Sequence, residues 1–293
     1  MPERNELSAV SVTRADVSLP RRATDTHKGD YGKLLLVGGS VGYTGAPNLA
    51  ARAAVRAGAG LVYLGVPEAI WQVCAVKNDE AMPFPLPCDG EGRLTAAALP
   101  SLRERWQECD VLALGPGLGR SEDIVALVRA AVEGFTGPLV LDADALWAVS
   151  RQPDVLRSAA GRIVVTPHAG EFARLGGALT GERLADAAAF ASRYGCVTLL
   201  KGRRTVVAFP EGESRVIEAG NPGMAKGGSG DVLTGVLAAL LGQLPFREAV
   251  LTGAWLHSAA GDRCAAERGE YGMTPSDMIE KLPYIMKEIT ESQ

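Results

Sequence analysis

The sequence of 293 residues predicts an α/β fold with a mostly parallel central sheet and helices on both faces. Short apolar segments alternate with longer segments of helical periodicity, which is the order of strands and crossover helices in a parallel sheet. The short segments are apolar throughout rather than at every second position, which indicates strands buried on both faces. Glycines and acidic residues follow several of them, as in open sheets that bind ligands at the carboxyl ends of their strands.

The elements can be placed along the chain from residue 33 onward. The first unit is a strand, a glycine-rich loop and a helix over about 46–58, in which Pro47 suits the first turn. Ser121 is expected to cap a later helix. Three apolar segments between residues 197 and 217 lie close enough for hairpins, which predicts a mixed sheet at this edge. The predicted strands are 34–37, 61–66, 111–114, 139–141, 163–165, 197–200, 205–209 and 215–217, and further helices are predicted from about 171, over 182–194, after 231 and from 276.

Domain boundaries follow from composition. Residues 1–26 are polar and mixed in charge, and we expect them to form an N-terminal arm or a leading helix. Residues 27–293 contain no linker, internal repeat or low-complexity tract, so a single domain is expected there. The proline-rich segment 82–87 is predicted to be a surface loop.

Charge and composition exclude several classes of function. The net charge is −4 and no basic block occurs, so neither nucleic acid nor an anionic membrane is an expected partner. The longest apolar runs, about ten residues, are too short to span a bilayer, and the N-terminus has no apolar signal-peptide core. The five cysteines are scattered, without a C-x-x-C pair, as expected of reduced thiols and a cytoplasmic protein.

The most informative segment is residues 221–231, which reads Asn-Pro-Gly-Met-Ala-Lys-Gly-Gly-Ser-Gly-Asp and runs into an apolar segment of helical periodicity. Its glycines remove side chains that would keep an anion away from backbone N–H groups. The N-terminus of the following helix favours phosphate for the same reason. Asp231 at that point can cap the helix or take a proton from a hydroxyl beside a bound phosphate. The combination indicates phosphoryl-transfer chemistry.

Other glycine-rich loops have no established fingerprint. Residues 38–45 and 115–119 each follow a strand, but neither has the G-x-G-x-x-G spacing of a dinucleotide-binding loop. The chain also contains no G-x-x-x-x-G-K-[ST] motif and is therefore not a P-loop protein. Three glycine-rich loops on one sheet edge nevertheless favour a binding site there over a purely structural role.

Four further side chains have two interpretations each. Lys201 follows a strand and can either contact a nucleotide phosphate or lie in a solvated basic turn. His168 can hydrogen-bond a substrate or be an ordinary loop histidine. Asp142 and Asp144 can hold Mg²⁺ through water or cap the next helix. No cluster of His, Cys, Asp or Glu has the spacing of a metal site.

Five motifs in sequence order resemble those of the ADP- or ATP-dependent NAD(P)H-hydrate dehydratases, within the ribokinase-like superfamily. The resemblance begins near His27 and covers roughly nine-tenths of the chain. The motifs are Val-Gly-Gly-Ser-Val-Gly-Tyr-Thr-Gly-Ala at 37–46, Gly-Pro-Gly-Leu-Gly at 115–119, Leu-Asp-Ala-Asp-Ala-Leu at 141–146, Thr-Pro-His-Ala-Gly-Glu at 166–171 and the segment 221–231.

This resemblance implies a ribokinase-like fold and a repair reaction. The S-epimer of hydrated NADH or NADPH loses water at the expense of ADP or ATP, with Mg²⁺ bridging phosphates and possible help from Asp142 through water. Asp231 corresponds to the catalytic base that faces the substrate hydroxyl. The anion hole corresponds to Gly228, Ser229 and Gly230, the nucleotide contacts to Lys201, Gly202, Arg203, Arg204, Thr205 and Gly230, and the dinucleotide contacts to Ala46, Gly117, His168 and Asp231.

The resemblance also sets expectations about partners and alternatives. Many relatives carry an N-terminal epimerase domain, and with about thirty residues before the match we expect a dehydratase alone, with any epimerase as a separate protein. Members of the family often assemble into homo-oligomers, so the resemblance implies a homo-oligomer, with a tetramer favoured. The sequence does not distinguish ADP from ATP or NADH hydrate from NADPH hydrate. The alternatives are a ribokinase-like kinase that phosphorylates a vitamin-precursor alcohol and a nucleotide sensor without catalysis.

Overall fold

One sheet of ten strands forms the centre of the described part of the protein, residues 10–292 of this computed structural model. The strands are β1 Val10–Val12, β2 Lys33–Val37, β3 Leu61–Pro67, β4 Met82–Leu86, β5 Val111–Leu114, β6 Leu139–Leu141, β7 Ile163–Val165, β8 Val197–Leu200, β9 Thr205–Ala208 and β10 Ser214–Ile217. Their order across the sheet is β1-β10-β9-β8-β7-β6-β5-β2-β3-β4. Seven adjacent strands run parallel, which confirms the predicted parallel centre: β4, β3, β2, β5, β6, β7 and β8.

Helices cover both faces of the sheet. They are α1 Gly45–Arg56, α2 Glu68–Lys77, α3 Leu99–Trp106, α4 Glu122–Gly134, α5 Ala143–Ser150, α6 Ala169–Arg174, α7 Arg183–Tyr194, α8 Ser229–Leu241, α9 Phe246–Gly272 and α10 Pro275–Glu291. One hydrophobic core joins one sheet face to α1, α8, α9 and α10, and the other joins the opposite face to α3, α4, α5 and α7. Alternate residues of β2 enter opposite cores, as the two-residue period of a strand requires.

The edge that contains β8, β9 and β10 is mixed. Strands β8 and β9 pair antiparallel, and so do β9 and β10. The short connections at residues 201–204 and 209–213 turn the chain back on itself, which confirms the predicted hairpins. The loop at 201–204 thereby stays beside the carboxyl ends of the parallel strands, where the candidate site lies.

Two elements differ from the sequence-based expectation. The predicted surface loop at residues 82–87 is wrong, because Met82–Leu86 pairs in parallel with β3. Its prolines at 83 and 85 are tolerated since β4 is an edge strand, which has no neighbour on its outer side to require an N–H. Residues 10–12 form a strand parallel to β10 rather than a helix, and the part of the predicted arm before residue 10 lies outside the described residues.

Helix starts follow local capping chemistry. The Ser121 side chain accepts from the N–H of Ile124 at 3.2 Å, as predicted for an N-cap. Helix α6 starts at Ala169, close to the predicted residue 171. Helix α10 starts at Pro275 after a capping box at Thr274, one residue before the predicted start. Between residues 10 and 292, no helix combines the length and apolar character needed to cross a membrane.

Candidate active site

The ends of four parallel strands and the start of α8 meet at one edge of the sheet. The loops that follow β5, β6, β7 and β8 contain the predicted site segments 115–119, 142–144, 166–168 and 201–205. Contacts between these loops join them into one site: the N–H of Gly119 donates to Asp144 Oδ2 at 3.0 Å, and Lys201 Nζ donates to Asp142 Oδ1 at 2.7 Å. The convergence expected from a parallel sheet is confirmed.

A charged network forms the floor of the site. The side chain of Asp142 is 2% exposed and accepts from Lys201 through Oδ1 and from Thr234 Oγ1 through Oδ2, the latter at 2.9 Å. Glu171 Oε2 lies 3.7 Å from the same ammonium group. Burial acts to lower the pKa of Lys201, but the attraction of Asp142 and Glu171 outweighs it, so the pKa is raised and the lysine stays charged.

This network decides two of the open interpretations. The side chain of Lys201 is only 22% exposed and points at carboxylates, so the solvated basic turn is wrong for this residue. Asp142 occupies the N-cap position of α5, but its side chain makes no capping hydrogen bond. The capping interpretation of Asp142 is therefore wrong as well, because both carboxylate oxygens are directed to Lys201 and Thr234 instead.

The N-terminus of α8 presents unpaired backbone donors. Every residue of this helix except Gly230 and Asp231 is buried. Among residues 10–292, the N–H groups of these two residues donate to no backbone carbonyl. A Cβ placed on Gly230 would lie 3.4 Å from Lys201 Nζ and 3.5 Å from Asp142 Oδ2, so the helix start lies directly against the charged network. Two free N–H groups beside a lysine ammonium suit a bound phosphate.

Glycine is required at the N-cap of α8. Gly228 occupies that position with a φ of 102°, a conformation that side-chain-bearing residues rarely adopt. A Cβ there would also lie 2.7 Å from Leu49 Cδ1 and 3.0 Å from Pro275 Cγ. The alternative interpretation of Asp231 as the helix cap is consequently wrong, because Gly228 holds the capping position and Asp231 lies in the first turn.

Asp231 has the properties of a general base. Its carboxylate accepts no hydrogen bond from the described residues and is half-buried. Burial raises its pKa to about 6, and repulsion by Asp142 and Asp144 acts in the same direction, partly offset by the attraction of Lys201. A free carboxylate with a pKa near neutrality can take a proton from a ligand hydroxyl.

A cavity of about 1000 Å³ opens beside the start of α8. All five residues of the predicted nucleotide segment 201–205 line it, and so do Ser229 and Gly230. Asn221 and Met224 of the glycine-rich segment also line it. The wall is completed by three residues that the sequence analysis did not single out, Ala254, His257 and Ser258. These come from α9, whose sequence carries no motif that marks it as part of a site.

His168 is both a helix cap and a cavity residue. Its Nδ1 accepts from the N–H groups of Gly170 and Glu171 at 3.0 and 3.3 Å, and Glu171 Oε2 accepts from the His168 N–H at 2.8 Å. With Nδ1 as acceptor, the neutral ring carries its hydrogen on Nε2. The side chain is 60% exposed and lines the cavity, so a hydrogen-bond donor is presented to a ligand.

Ala46 and Gly117 lie together at a different part of the site. A Cβ on Gly117 would be 3.4 Å from the Ala46 Cβ and 2.9 Å from the Tyr43 Cβ, and its φ of 66° also favours glycine. Neither residue lines the large cavity. The structure therefore separates the predicted dinucleotide contacts into this pair and His168. The charge of Asp144, whose carboxylate accepts from the Gly119 N–H, acts to raise the pKa of Asp231.

Two contacts that the sequence analysis missed support the glycine-rich segment, one of them buried. His257 Nε2 lies 2.9 Å from the Ser229 carbonyl oxygen, and burial lowers the pKa of this histidine to about 4, so it is neutral. Lys226 Nζ donates to the carbonyls of Tyr271 and Met273, at 2.7 and 2.5 Å, at the junction of α9 and α10. The ammonium of Lys226 therefore anchors the loop. No sequence signal indicates either partner, because both contacts join distant segments.

The described residues 10–292 contain no group of three or more His, Cys, Asp or Glu side chains arranged to hold a metal ion. The five cysteines are free thiols, and burial raises the pKa of Cys109, Cys196 and Cys264 to about 11, 12 and 11. These thiols are protonated at neutral pH and suit neither metal binding nor nucleophilic catalysis.

A family model described as NAD(P)H-hydrate dehydratase matches residues 34–284. The chain belongs to the NAD(P)H-hydrate dehydratase family. Its similarity to a protein of Moorella thermoacetica, named bifunctional NAD(P)H-hydrate repair enzyme Nnr, is 47% identity over 278 residues, or 93% of this chain and 52% of that protein. The chain thus spans about half the length of that relative. It is 36% identical over 280 residues to an ADP-dependent (S)-NAD(P)H-hydrate dehydratase of Neisseria meningitidis, with 92% of this chain and 90% of that one covered.

Solved structures of this dehydratase family and its superfamily have the same architecture. A ribokinase-like superfamily protein of Enterococcus faecalis matches with a TM-score of 0.86 at 26% identity, covering 97% of both chains. An ADP/ATP-dependent NAD(P)H-hydrate dehydratase of Bacillus subtilis, crystallised with ATP and Mg²⁺, matches with a TM-score of 0.80 at 28% identity, covering 97% of this chain and 99% of that one. The predicted ribokinase-like fold and the predicted family are both confirmed.

Proposed function

We propose that the protein catalyses the nucleotide-dependent dehydration of the S-epimer of hydrated NADH and NADPH. The products are NAD(P)H, phosphate and either AMP from ADP or ADP from ATP. The observation that carries this proposal is the free carboxylate of Asp231 beside unpaired N–H groups of α8, in a chain of the NAD(P)H-hydrate dehydratase family. The name of the Neisseria relative, an ADP-dependent dehydratase, supports the reaction class.

The nucleotide occupies the cavity beside α8 in this proposal. Segment 201–205 and Gly230 line that cavity, and its volume of about 1000 Å³ is ample for a nucleoside diphosphate or triphosphate. Gly228, Ser229 and Gly230 form the anion hole over the transferring phosphate. Support comes from the unpaired N–H of Gly230 and from the Ser229 hydroxyl, which is buried without a hydrogen-bond partner among the described residues.

The hydrated dinucleotide contacts Asp231, His168 and the pair formed by Ala46 and Gly117. Gly117 has no side chain, so a ring can approach its backbone closely beside the small Ala46 side chain and the exposed ring of Tyr43. His168 offers its Nε2–H as a donor. The two ligands therefore meet at the start of α8, with Asp231 between them.

The chemistry then proceeds in two steps. Asp231 takes the proton of the substrate hydroxyl as its oxygen attacks the terminal phosphorus, and the bond from that phosphorus to the bridging oxygen of the nucleotide breaks. The N–H groups of α8 and the Lys201 ammonium stabilise the charge on the transferring phosphoryl group. In the second step the carbon–oxygen bond breaks, phosphate leaves with the electron pair, and loss of a proton from the neighbouring ring carbon restores the double bond.

Mg²⁺ fits this site as an ion held mainly by phosphates and water. Asp142 supplies the hard oxygen donors that Mg²⁺ prefers, but both oxygens already accept from Lys201 and Thr234, so contact through water is the arrangement that preserves these bonds. When bound, the ion neutralises phosphate charge. Lys201 contributes a second positive charge to the same region.

The alternative function is a ribokinase-like kinase for a vitamin-precursor alcohol. Such a kinase needs the same base and the same helix N-terminus, so the geometry at Asp231 does not discriminate. The family match favours the dehydratase. The two functions differ in their products, because a kinase leaves a stable phosphate ester and the dehydratase releases inorganic phosphate.

The free cysteines support a reducing, cytoplasmic compartment. We also propose a homo-oligomer, with a tetramer as the expected form. Because the reaction consumes one epimer of the hydrate, an epimerase is the activity that supplies it from the other epimer.

The test is recovery of reduced-nicotinamide absorbance from purified NADH hydrate. The protein is mixed with hydrate and Mg²⁺, and ADP, ATP or no nucleotide is added in parallel. We expect recovery only with nucleotide, at a stoichiometry of one phosphate per NADH restored. Absence of recovery with either nucleotide, using folded protein and the S-epimer, contradicts the dehydratase and shifts the assignment to the kinase.

A further inference from the structure

The loop between β8 and β9 has an unusual backbone. Gly202 has a φ of 148° and Arg204 a φ of 56°. Among the described residues, Arg204 is one of two non-glycine positions with positive φ, the other being Ala143. Such a conformation costs about 1 kcal/mol or more and persists only where surrounding contacts impose it. The loop lines the cavity proposed for the nucleotide.

One arginine beneath this loop imposes its shape. Arg183, the first residue of α7, donates through Nη1 to the Arg203 carbonyl at 2.6 Å and through Nη2 to the carbonyls of Leu200 and Lys201 at 2.9 and 3.2 Å. A Cβ on Gly202 would lie 3.0 Å from Nη2, so the guanidinium group fits closely against the loop. Partial burial lowers the pKa of Arg183, and its charge is met by these three backbone carbonyls.

The carbonyl contacts dictate where the loop's N–H groups point. In a trans peptide the N–H is antiparallel to the C=O of the same peptide unit. The carbonyls of Lys201 and Arg203 face Arg183, so the N–H groups of Gly202 and Arg204 are directed away from it. Neither N–H donates to a backbone carbonyl in the described part of the chain. Both residues line the cavity, which makes these N–H groups available to a ligand there.

We propose that Arg183 is a positioning residue for nucleotide binding. It fixes the peptide planes of the 201–204 loop so that the N–H groups of Gly202 and Arg204 are presented to the nucleotide, without touching the nucleotide itself. This proposal rests on the proposed function, since it assumes that the cavity takes ADP or ATP. Arg183 lies outside the loop and outside every motif found in the sequence.

Removal of the guanidinium group should weaken nucleotide binding selectively. For Arg183→Ala we expect the KM for nucleotide and the Kd for ADP to rise about tenfold or more, because the loop loses three charge-assisted hydrogen bonds. The KM for NADH hydrate should stay within about twofold, and kcat should fall much less than the nucleotide affinity. Arg183→Lys should lie in between, since one ammonium cannot reproduce the planar fork that meets three carbonyls.

Chemical rescue separates positioning from general stability. Added guanidinium chloride, at concentrations well below those that unfold the protein, should lower the nucleotide KM of Arg183→Ala and leave the wild type unchanged. Arg193→Ala is the matched control, because Arg193 lies on the same helix, is exposed, and stacks on the ring of its neighbour Tyr194 instead of contacting the loop. It should bind ADP as the wild type does. If Arg183→Ala fails to fold, the comparison is made with Arg183→Lys.

The positioning role of Arg183 and the proposed dehydratase function can fail independently of each other. Calorimetric titration with ADP measures the Kd without any turnover of hydrate. Unchanged ADP affinity in folded Arg183→Ala or Arg183→Lys, with a wild type that binds ADP and restores NADH, overturns the positioning role alone. A wild type that binds ADP but never restores NADH contradicts the dehydratase, and a raised Kd in the variant still supports Arg183.

Discussion

Substitution of Asp231 by Asn should stabilise the fold while it abolishes the reaction. The cost of keeping Asp231 ionised is set by its environment, since burial and the neighbouring acids Asp142 and Asp144 raise its pKa from 3.8 to about 6. Because the folded-state pKa is above the unfolded one, this cost is fully present above about pH 6 and vanishes below about pH 4. The shift corresponds to about 3 kcal/mol at neutral pH, which the uncharged Asn side chain does not incur.

Thermal and denaturant unfolding at two pH values measure this effect. At pH 7.5 we expect Asp231→Asn to unfold about 6 °C above the wild type, given about 2 °C per kcal/mol for a chain of this size. Near pH 4 the difference should disappear, because the wild-type carboxyl is then protonated in the folded state. Nucleotide binding should persist and turnover should fall by about two orders of magnitude or more.

Asp144→Asn provides the control for this comparison. Its carboxylate repels Asp231 but also accepts from the Gly119 N–H and pairs with Arg120. Loss of its charge removes these favourable contacts together with the repulsion, so it should stabilise the protein much less than Asp231→Asn does. An Asp231→Asn variant that is less stable than the wild type at pH 7.5 refutes the electrostatic account. Near-normal turnover in that variant refutes the role of Asp231 as base.

Three further predictions concern the same site. The value of kcat/KM for the hydrate should rise with pH through about 6 and then level off, since the base must be ionised; a profile flat between pH 5 and 7.5 contradicts this. Lys201→Met should lower the free energy of unfolding by about 3 kcal/mol, because it leaves the buried Asp142 carboxylate without its positive partner. Urea unfolding should show that the double variant with Asp142→Asn regains part of this loss. Gly228→Ala should lower the free energy of unfolding by about 1 to 2 kcal/mol and weaken ADP binding. Gly227→Ala should cost much less, because Gly227 has no positive φ and has open space around it. Equal effects of the two variants in melting and titration experiments would contradict the argument from φ and packing.

The parallel centre of the fold was predictable because its sequence signals are local. Strands such as Val111–Leu114 and Ile163–Val165 are apolar throughout, as burial on both faces requires, and the structure has them at the predicted residues. The edges were less predictable. Prolines in Met82–Leu86 indicate a loop unless the strand is known to lie at an edge, and that knowledge comes only from the complete sheet.

In the candidate site, too, the features with local sequence signals were predictable and the contacts between distant segments were not. Glycines and acids after predicted strands indicated the edge of the sheet, and the position of Asp231 at the start of a buried helix was apparent from the pattern. The partners of these residues were not. Lys201 pairs with Asp142 across 59 positions of sequence, and Arg183 reaches the 201–204 loop from another helix, contacts that depend on the assembled fold and leave no periodic trace.

The fate of the substrate oxygen tests the central claim most directly. NADH hydrate prepared in ¹⁸O-water carries the label in its hydroxyl, and a sample incubated without protein measures any loss by exchange. After turnover with nucleotide and Mg²⁺ in unlabelled water, phosphate is isolated and analysed by mass spectrometry. Attack of the hydroxyl on the terminal phosphate predicts one labelled oxygen in the phosphate for each NADH restored. Unlabelled phosphate, with the label recovered in water, would show that the hydroxyl is lost without phosphoryl transfer and would contradict the mechanism built on Asp231.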